Sequence, residues 1–113
     1  MKQNYSIECR DFPVTQAIVE EVERCLQKIT GRYDMQYMDV TLEKTPEGYK
    51  STLACRQSDG SSFVVHGEHE DCYVSIGVAR DRVIRKIRRS REKHRDVERH
   101  QSEGLGKTLA KAV

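Results

Sequence analysis

The chain has 113 residues and a net charge of +2, with 36% hydrophobic and 34% charged residues. That length allows one domain with one modest core. No run of about eighteen apolar residues exists, which excludes a membrane-spanning helix. The opening Met1-Lys2-Gln3-Asn4-Tyr5 lacks the apolar stretch of a secretion signal, so a cytoplasmic protein with no membrane partner is expected.

The small net charge conceals an asymmetry. Residues 1–70 carry eight Lys/Arg and twelve Asp/Glu, a balance of −4, whereas residues 71–113 carry twelve and six, a balance of +6. An acidic body with a basic C-terminal element points to an anionic partner met from one side. The four cysteines, Cys9, Cys25, Cys55 and Cys72, form no CxxC pair and fall one to each of four predicted elements. They read as small reduced hydrophobes and not as a disulfide framework.

In chain order, residues 3–9 alternate, with Tyr5, Ile7 and Cys9 on one face, which predicts a half-buried strand. Phe12 and Pro13 break it. Thr15 is placed to cap a helix whose apolar stripe is Ala17, Ile18, Val22, Cys25, Leu26 and Ile29. Gly31 is placed to end that helix in the left-handed conformation. Met38, Val40 and Leu42 alternate with polar residues in a second strand, and Thr45–Gly48 is a turn. Tyr49, Ser51, Leu53 and Cys55 form the inward face of a third strand. The turn Ser58-Asp59-Gly60-Ser61 leads back into an antiparallel fourth, with Phe63, Val65 and Gly67 inward. Asp71 can cap a second helix running from Cys72 to the mid-nineties, about 35 Å at 1.5 Å per residue. The fold expected is α+β, in the order β-α-β-β-β-α. A four-stranded mixed sheet carries two helices on one face, and its first two strands are parallel through a right-handed crossover. Residues 1–95 form the single domain, and the polar residues 96–113 read as a flexible tail.

The second helix carries the functional signal. Nine of the sixteen residues from Arg80 to Arg95 are Lys or Arg, opposed only by Asp81 and Glu92. Ile76, Ala79, Val83 and Ile87 recur at helical spacing, so one stripe packs on a core while cations cover the rest. At about 100° per residue, Arg82, Arg85, Lys86, Arg89 and Lys93 fall within a sector of roughly 100° away from that stripe. A solvated face normally mixes Glu with Lys. Like charges side by side cost a few tenths of a kcal/mol per pair, a cost that a polyanionic partner would offset. Arg outnumbers Lys seven to two in this run, which suits phosphate oxygens.

Other constellations are weaker. His66, His69 and Cys72 are spaced by three, but they cross a strand end, a loop and a helix start, and the carboxylates Glu70 and Asp71 read as helix-capping residues. No nucleophile elbow, P-loop or dinucleotide fingerprint occurs. No catalytic residue, metal site, cofactor or small-molecule substrate is therefore expected. Of the tyrosines, Tyr5, Tyr49 and Tyr73 fall on inward stripes, while Tyr37 faces outward and is the better candidate for base stacking.

The string Gly67-Glu68-His69-Glu70-Asp71-Cys72-Tyr73, followed by Ile76, resembles the Gly-Lys-His-Glu-Asp-Met-Tyr motif of the ribosome hibernation-promoting factors. These are also called ribosomal subunit interface proteins, ribosome-associated inhibitors or sigma-54 modulation proteins. Thr15-x-Ala17-Ile18, Lys28-Ile29 and Leu42-x-Lys44-x-Pro46-x-Gly48 are similar to other pieces of that family, and the likeness spans residues 3–95. Cys72, Ser75, Gly77 and Glu68 depart from its usual residues. The chain has no room for the second dimerising domain of the long family form, and its tail is not the acidic tail of the inhibitor type.

The resemblance implies a double-stranded-RNA-binding-domain-like geometry and a non-enzymatic protein. Its partners would be the small ribosomal subunit and its rRNA, and it would block translation in the decoding channel under stress or in stationary phase. Family basic positions fall on Lys28, Lys44, Arg82, Arg85, Arg89 and Lys93, with Lys86 added from the helical sector. The competing readings are a general structured-RNA binder and a small metal-binding enzyme built on His66, His69 and Cys72.

Overall fold

The computed structural model describes the backbone of residues 4–103 and the side chains of residues 4–92. The element order is β1 (Tyr5–Arg10), α1 (Gln16–Thr30), β2 (Met35–Thr45), β3 (Gly48–Gln57), β4 (Ser62–His69) and α2 (Cys72–Glu103). The strands lie in the order β1-β2-β3-β4. β1 is parallel to β2, and the other two pairs are antiparallel. This is the α+β arrangement expected from the alternation of periods.

Period-2 alternation decides which sheet face is covered. Met38, Val40 and Leu42 on β2, Leu53 and Cys55 on β3, and Val65 on β4 are all buried. They meet Val22, Leu26 and Ile29 of α1 and Ile76, Val83 and Ile87 of α2 in one core. Burying side chains of this kind contributes about 1.5–3 kcal/mol each. The intervening strand residues, such as Thr41, Thr52 and Val64, are only partly covered or exposed. The phenol of Tyr5 donates to Glu23 Oε2 at 2.7 Å, tying β1 to α1.

The predicted caps form at both helix starts. Thr15 Oγ1 accepts from the Ile18 amide at 3.2 Å, and Asp71 Oδ1 accepts from the Tyr73 amide at 2.8 Å. Asp59 Oδ1 accepts from the Ser61 amide at 2.9 Å, and Gly60 takes a positive φ of 95°, closing the β3–β4 turn.

Four details differ from the sequence reading. Gly31 ends α1 in a right-handed conformation, φ −69°, because its amide continues the helical pattern to the Gln27 carbonyl at 2.9 Å. The positive φ near that helix belongs instead to Asp11, at 71°, where the chain turns out of β1; Asp is among the residues that tolerate it. Tyr73 is 42% exposed, not inward, since Cys72 and Ile76 take the buried positions of the first turn. Ala17 is likewise exposed. α2 also has 32 residues, about 48 Å, and extends to Glu103, beyond the point where its apolar stripe ends at Ile87.

Candidate nucleic-acid interface

The basic helix is seated by small residues. Gly67 of β4 lies directly beneath α2, and a Cβ there would strike the Ser75 carbonyl and come within 2.5 Å of the Ala79 amide nitrogen. Ser75 is itself fully buried. Its hydroxyl donates to the Cys72 carbonyl at 2.7 Å, which leaves Ser51 Oγ as the donor of the 2.7 Å bond between the two serines. At the helix start, His69 Nδ1 accepts from the Asp71 amide at 3.0 Å and holds the capping residue in place. The first two turns of α2 are thus pinned to β3 and β4, and the later turns run back across β4.

Beyond this seat the cations sort onto two flanks. Arg82, Arg85, Lys86 and Arg89 line an open groove of about 720 Å³ bordered by Val65 of β4. Arg82 is held by a 2.5 Å hydrogen bond from Nη1 to the His66 carbonyl. On the other flank, Lys28 and Arg32 of α1 and its C-terminal connection meet Arg80, Arg85 and Arg88 across a groove of about 740 Å³. Arg80 lies at the inner side of this groove. Its Nε bonds Asp81 at 2.9 Å and its Nη1 lies 3.8 Å from Cys25 Sγ. The Asp81 carboxylate raises the Arg80 pKa, with burial opposing. At the base of the domain the Arg91 guanidinium stacks on Tyr33, 4.9 Å from the ring centre.

Among the described residues the ion pairs are Arg10–Glu8, Arg24–Glu21 and Arg80–Asp81. None neutralises Lys28, Arg32, Arg82, Arg85, Lys86, Arg88 or Arg89. All of these are exposed. The result is a cationic surface on a rigid support, with its charge available to a ligand.

The sequence-predicted residues do not form one cluster. Arg82, Arg85, Lys86 and Arg89 come together as expected. Lys28 joins the opposite flank, through Arg85. Lys44 lies elsewhere: it pairs with Tyr49 at the end of β2 where α2 begins, not where its cations accumulate. Lys93 belongs to α2, but its side chain lies outside the described residues. Tyr37 is 41% exposed on the sheet face that the helices leave open, its hydroxyl 3.2 Å from Asp39 Oδ1.

Three flank residues, Arg32, Arg80 and Arg88, escape the sequence reading. Arg88 was legible from its helical angle. Arg32 sits in the α1–β2 connection and is brought to α2 only by helix packing.

The candidate metal ligands are otherwise engaged. His66 Nδ1 is 3.0 Å from Thr52 Oγ1, and His69 Nδ1 serves the helix cap. Cys72 is buried and its thiol is pushed up to about 11, chiefly by burial. Among the described residues no group of three or more His, Cys, Asp or Glu side chains converges on a point. All four cysteines are free. Burial raises the Cys55 thiol to about 12.

Sequence comparison now gives the class: residues 5–95 match the family described as sigma 54 modulation protein / S30EA ribosomal protein. The chain belongs to that family. No curated protein matches it. Among solved structures, the N-terminal domain of Thermus thermophilus Protein Y is similar, with a TM-score of 0.69 and 24% identity over 78% of this chain and 98% of that one. A ribosomal subunit interface protein from Coxiella burnetii is also similar, with a TM-score of 0.70 and 10% identity over 80% and 99%. At these identities the two likenesses establish the shared fold. No helix among the described residues is long and apolar enough to cross a membrane.

Proposed function

We propose that this chain is a non-enzymatic, cytoplasmic ribosome-binding protein that occupies the decoding channel of the small subunit and so inhibits translation under stress or in stationary phase. The observation that carries the reading is the unneutralised cationic surface of α2, held rigidly by Gly67 and the Ser51–Ser75 pair. Membership of a family described as S30EA ribosomal protein supports a ribosomal partner. Residues 1–95 supply the binding domain; residues 96–103 continue α2 as a polar extension, and the rest of the tail expected from the sequence lies outside the described residues.

Affinity comes from phosphate contacts made by Arg82, Arg85, Lys86 and Arg89, with Lys93 further along the helix and Lys28 and Lys44 widening the footprint. Phosphate contacts position a protein on RNA without reading sequence, so specificity derives from the fixed shape of rRNA. Inhibition requires occupancy of the channel and no bond-making step.

Co-sedimentation with small subunits at rising salt tests this. About five neutralised phosphates give a log–log slope of roughly −3 to −4. Excess duplex RNA should leave the complex intact. A flat salt response refutes the phosphate account, and displacement by duplex RNA would identify a general structured-RNA binder instead.

A further inference from the structure

We propose that the sheet face left open by the helices is a self-docking surface, on which a second copy of this chain seats about a two-fold axis running along the strands between β2 and β3. The inference is independent of the RNA-binding reading, since it concerns the side of the sheet opposite α2. Both helices pack on one face, and among the described residues nothing covers the other. Strand pairing orders the side chains of that open face into rows. One row runs Arg10, Glu43, Lys50, Glu68 across the four strands and alternates in sign. The next holds Glu8, Thr41, Thr52 and His66, and the third Ser6, Asp39, Ala54 and Val64. At the far end Tyr37 pairs with Arg56. Carboxylates (Glu8, Asp39, Glu43, Glu68) outnumber Lys and Arg (Arg10, Lys50, Arg56) on this face, so it is no second surface for a polyanion. Among the described residues its ion pair is the exposed Arg10–Glu8 contact, and Glu43, Lys50 and Glu68 have none.

A two-fold axis lying in the interface and along the strands sets β1 over β4 of the second copy and β2 over its β3, row on row. Arg10 then meets Glu68 of the second copy and Glu43 meets its Lys50, each contact made twice by symmetry. Glu8 meets His66, Thr41 meets Thr52, and Arg56 meets the ring of Tyr37. The charge left over, Asp39, faces Ala54, and it is already engaged inside its own chain: it accepts from the Ser6 hydroxyl and, at 3.2 Å, from the Tyr37 hydroxyl. Val64, 52% exposed, and Tyr37, 41% exposed, border a shallow cavity of about 330 Å³ on this face and would be covered together. An axis running across the strands instead would set Lys50 over Arg56 and pair no opposite charges. The first axis also preserves strand direction, as aligned sheet packing requires. Four strands at ~4.8 Å and four rows at ~6.8 Å give roughly 500 Å² per copy, or roughly 1,000 Å² in all. That is the lower end of specific interfaces, so the association is weak and reversible.

The test is sedimentation equilibrium of the full chain at low salt, without RNA, using the single variants Arg10→Glu and Glu68→Lys. Both positions are exposed, and a thermal melt checks that each variant folds. Within one chain they lie three strand spacings apart, about 14 Å, so neither can compensate the other internally. The wild-type chain is expected to dimerise at high micromolar concentration. Each variant alone is expected to raise the dissociation constant about tenfold, because two attractive contacts become repulsive. An equimolar mixture of the two variants is expected to restore association as a heterodimer, in which every Arg10–Glu68 contact again joins opposite charges. Glu43→Lys mixed with Lys50→Glu repeats the exchange nearer the axis, so the result does not hang on one pair of variants. A wild-type chain that stays monomeric overturns the proposal. So do variants that associate as the wild type does, or a mixture that associates no better than its components.

Discussion

Replacing Arg85 and Arg89 together by Glu separates binding from folding more cleanly than any other change in the molecule. Both side chains are exposed, and neither has an ion-pair partner among the described residues. Each lies one helical turn from another cation, so reversal relieves like-charge contacts worth a few tenths of a kcal/mol each. Fold stability should change by about 0.5 kcal/mol or less, which moves the thermal midpoint by roughly 2–4 °C. Binding should respond on another scale. A charge-assisted hydrogen bond contributes about 1.5–3 kcal/mol, so losing two corresponds to roughly 10²- to 10⁴-fold in affinity. The salt slope should flatten by about 1.4. Co-sedimentation with small subunits, in vitro translation and a circular-dichroism melt read the three quantities. An unchanged affinity, or a melting point that collapses, would refute the assignment of these arginines to a phosphate-binding surface.

Three further outcomes follow from the seat of the helix and the core thiols. Gly67→Ala should destabilise by about 1–3 kcal/mol, because the added methyl overlaps the α2 backbone at Ser75 and Ala79; a denaturant melt reads it, and a wild-type midpoint would contradict the packing. Gly77→Ala should do the reverse, raising stability by up to about 1 kcal/mol in the same melt, since the new methyl meets only the Arg80 guanidinium at 3.7 Å. The Cys55 and Cys72 thiols are raised from 9.0 to about 12 and about 11, so the folded state holds their protons. Their contribution is fully present below pH 9 and is lost as pH climbs toward the folded values. Stability should decline over that window, and the decline should be shallower in the Cys55→Ala, Cys72→Ala double variant; identical pH profiles would show that these thiols do not titrate in the unfolding transition.

The fold was legible because local signals and burial agree. Thr15 and Asp71 cap where their spacing places them, and the alternation of Met38, Val40 and Leu42 matches the buried face of β2. The misread positions are those decided by tertiary contact. Gly31 has a residue type suited to left-handed geometry, yet its amide finds a helical acceptor. Tyr73 sits one position from the buried Cys72, and a one-residue phase error on a helix moves a side chain by about 100°. α2 runs about two turns past its expected end in the mid-nineties because no Gly or Pro interrupts the chain between Gly77 and Gly104, so the backbone stays helical to Glu103 without a core to face. The candidate surface was half legible. Periodicity on α2 identifies the Arg82–Arg89 row from one element alone. The Lys28–Arg32 contribution depends on the crossing of α1 and α2, and Lys44, alike in charge, ends up at the opposite end of the sheet.

A cluster of like charges is not self-supporting, and the packing shows how this one is sustained. Isolated from the domain, the helix from Arg80 to Arg95 would carry eight like-charge pairs at i,i+3 and i,i+4 spacing against four opposite-charge pairs. Val83 and Ile87 are essentially fully buried and anchor this stretch, contributing several times the cost of any one repulsive pair. Arg80 and Arg91 are drawn off the cationic surface, the first onto Asp81 and Cys25, the second onto the face of Tyr33. Each of these contacts lowers the local charge density and adds an attachment to the body of the domain. The remaining cations gain no comparable contact: Arg85, Lys86, Arg88 and Arg89 stay exposed and without carboxylate partners among the described residues. Within one run of similar residues, some arginines are used to hold the helix down and others are left unsatisfied. That division is what a structural charge face would lack, since solubility alone is served equally well by mixed or paired charges.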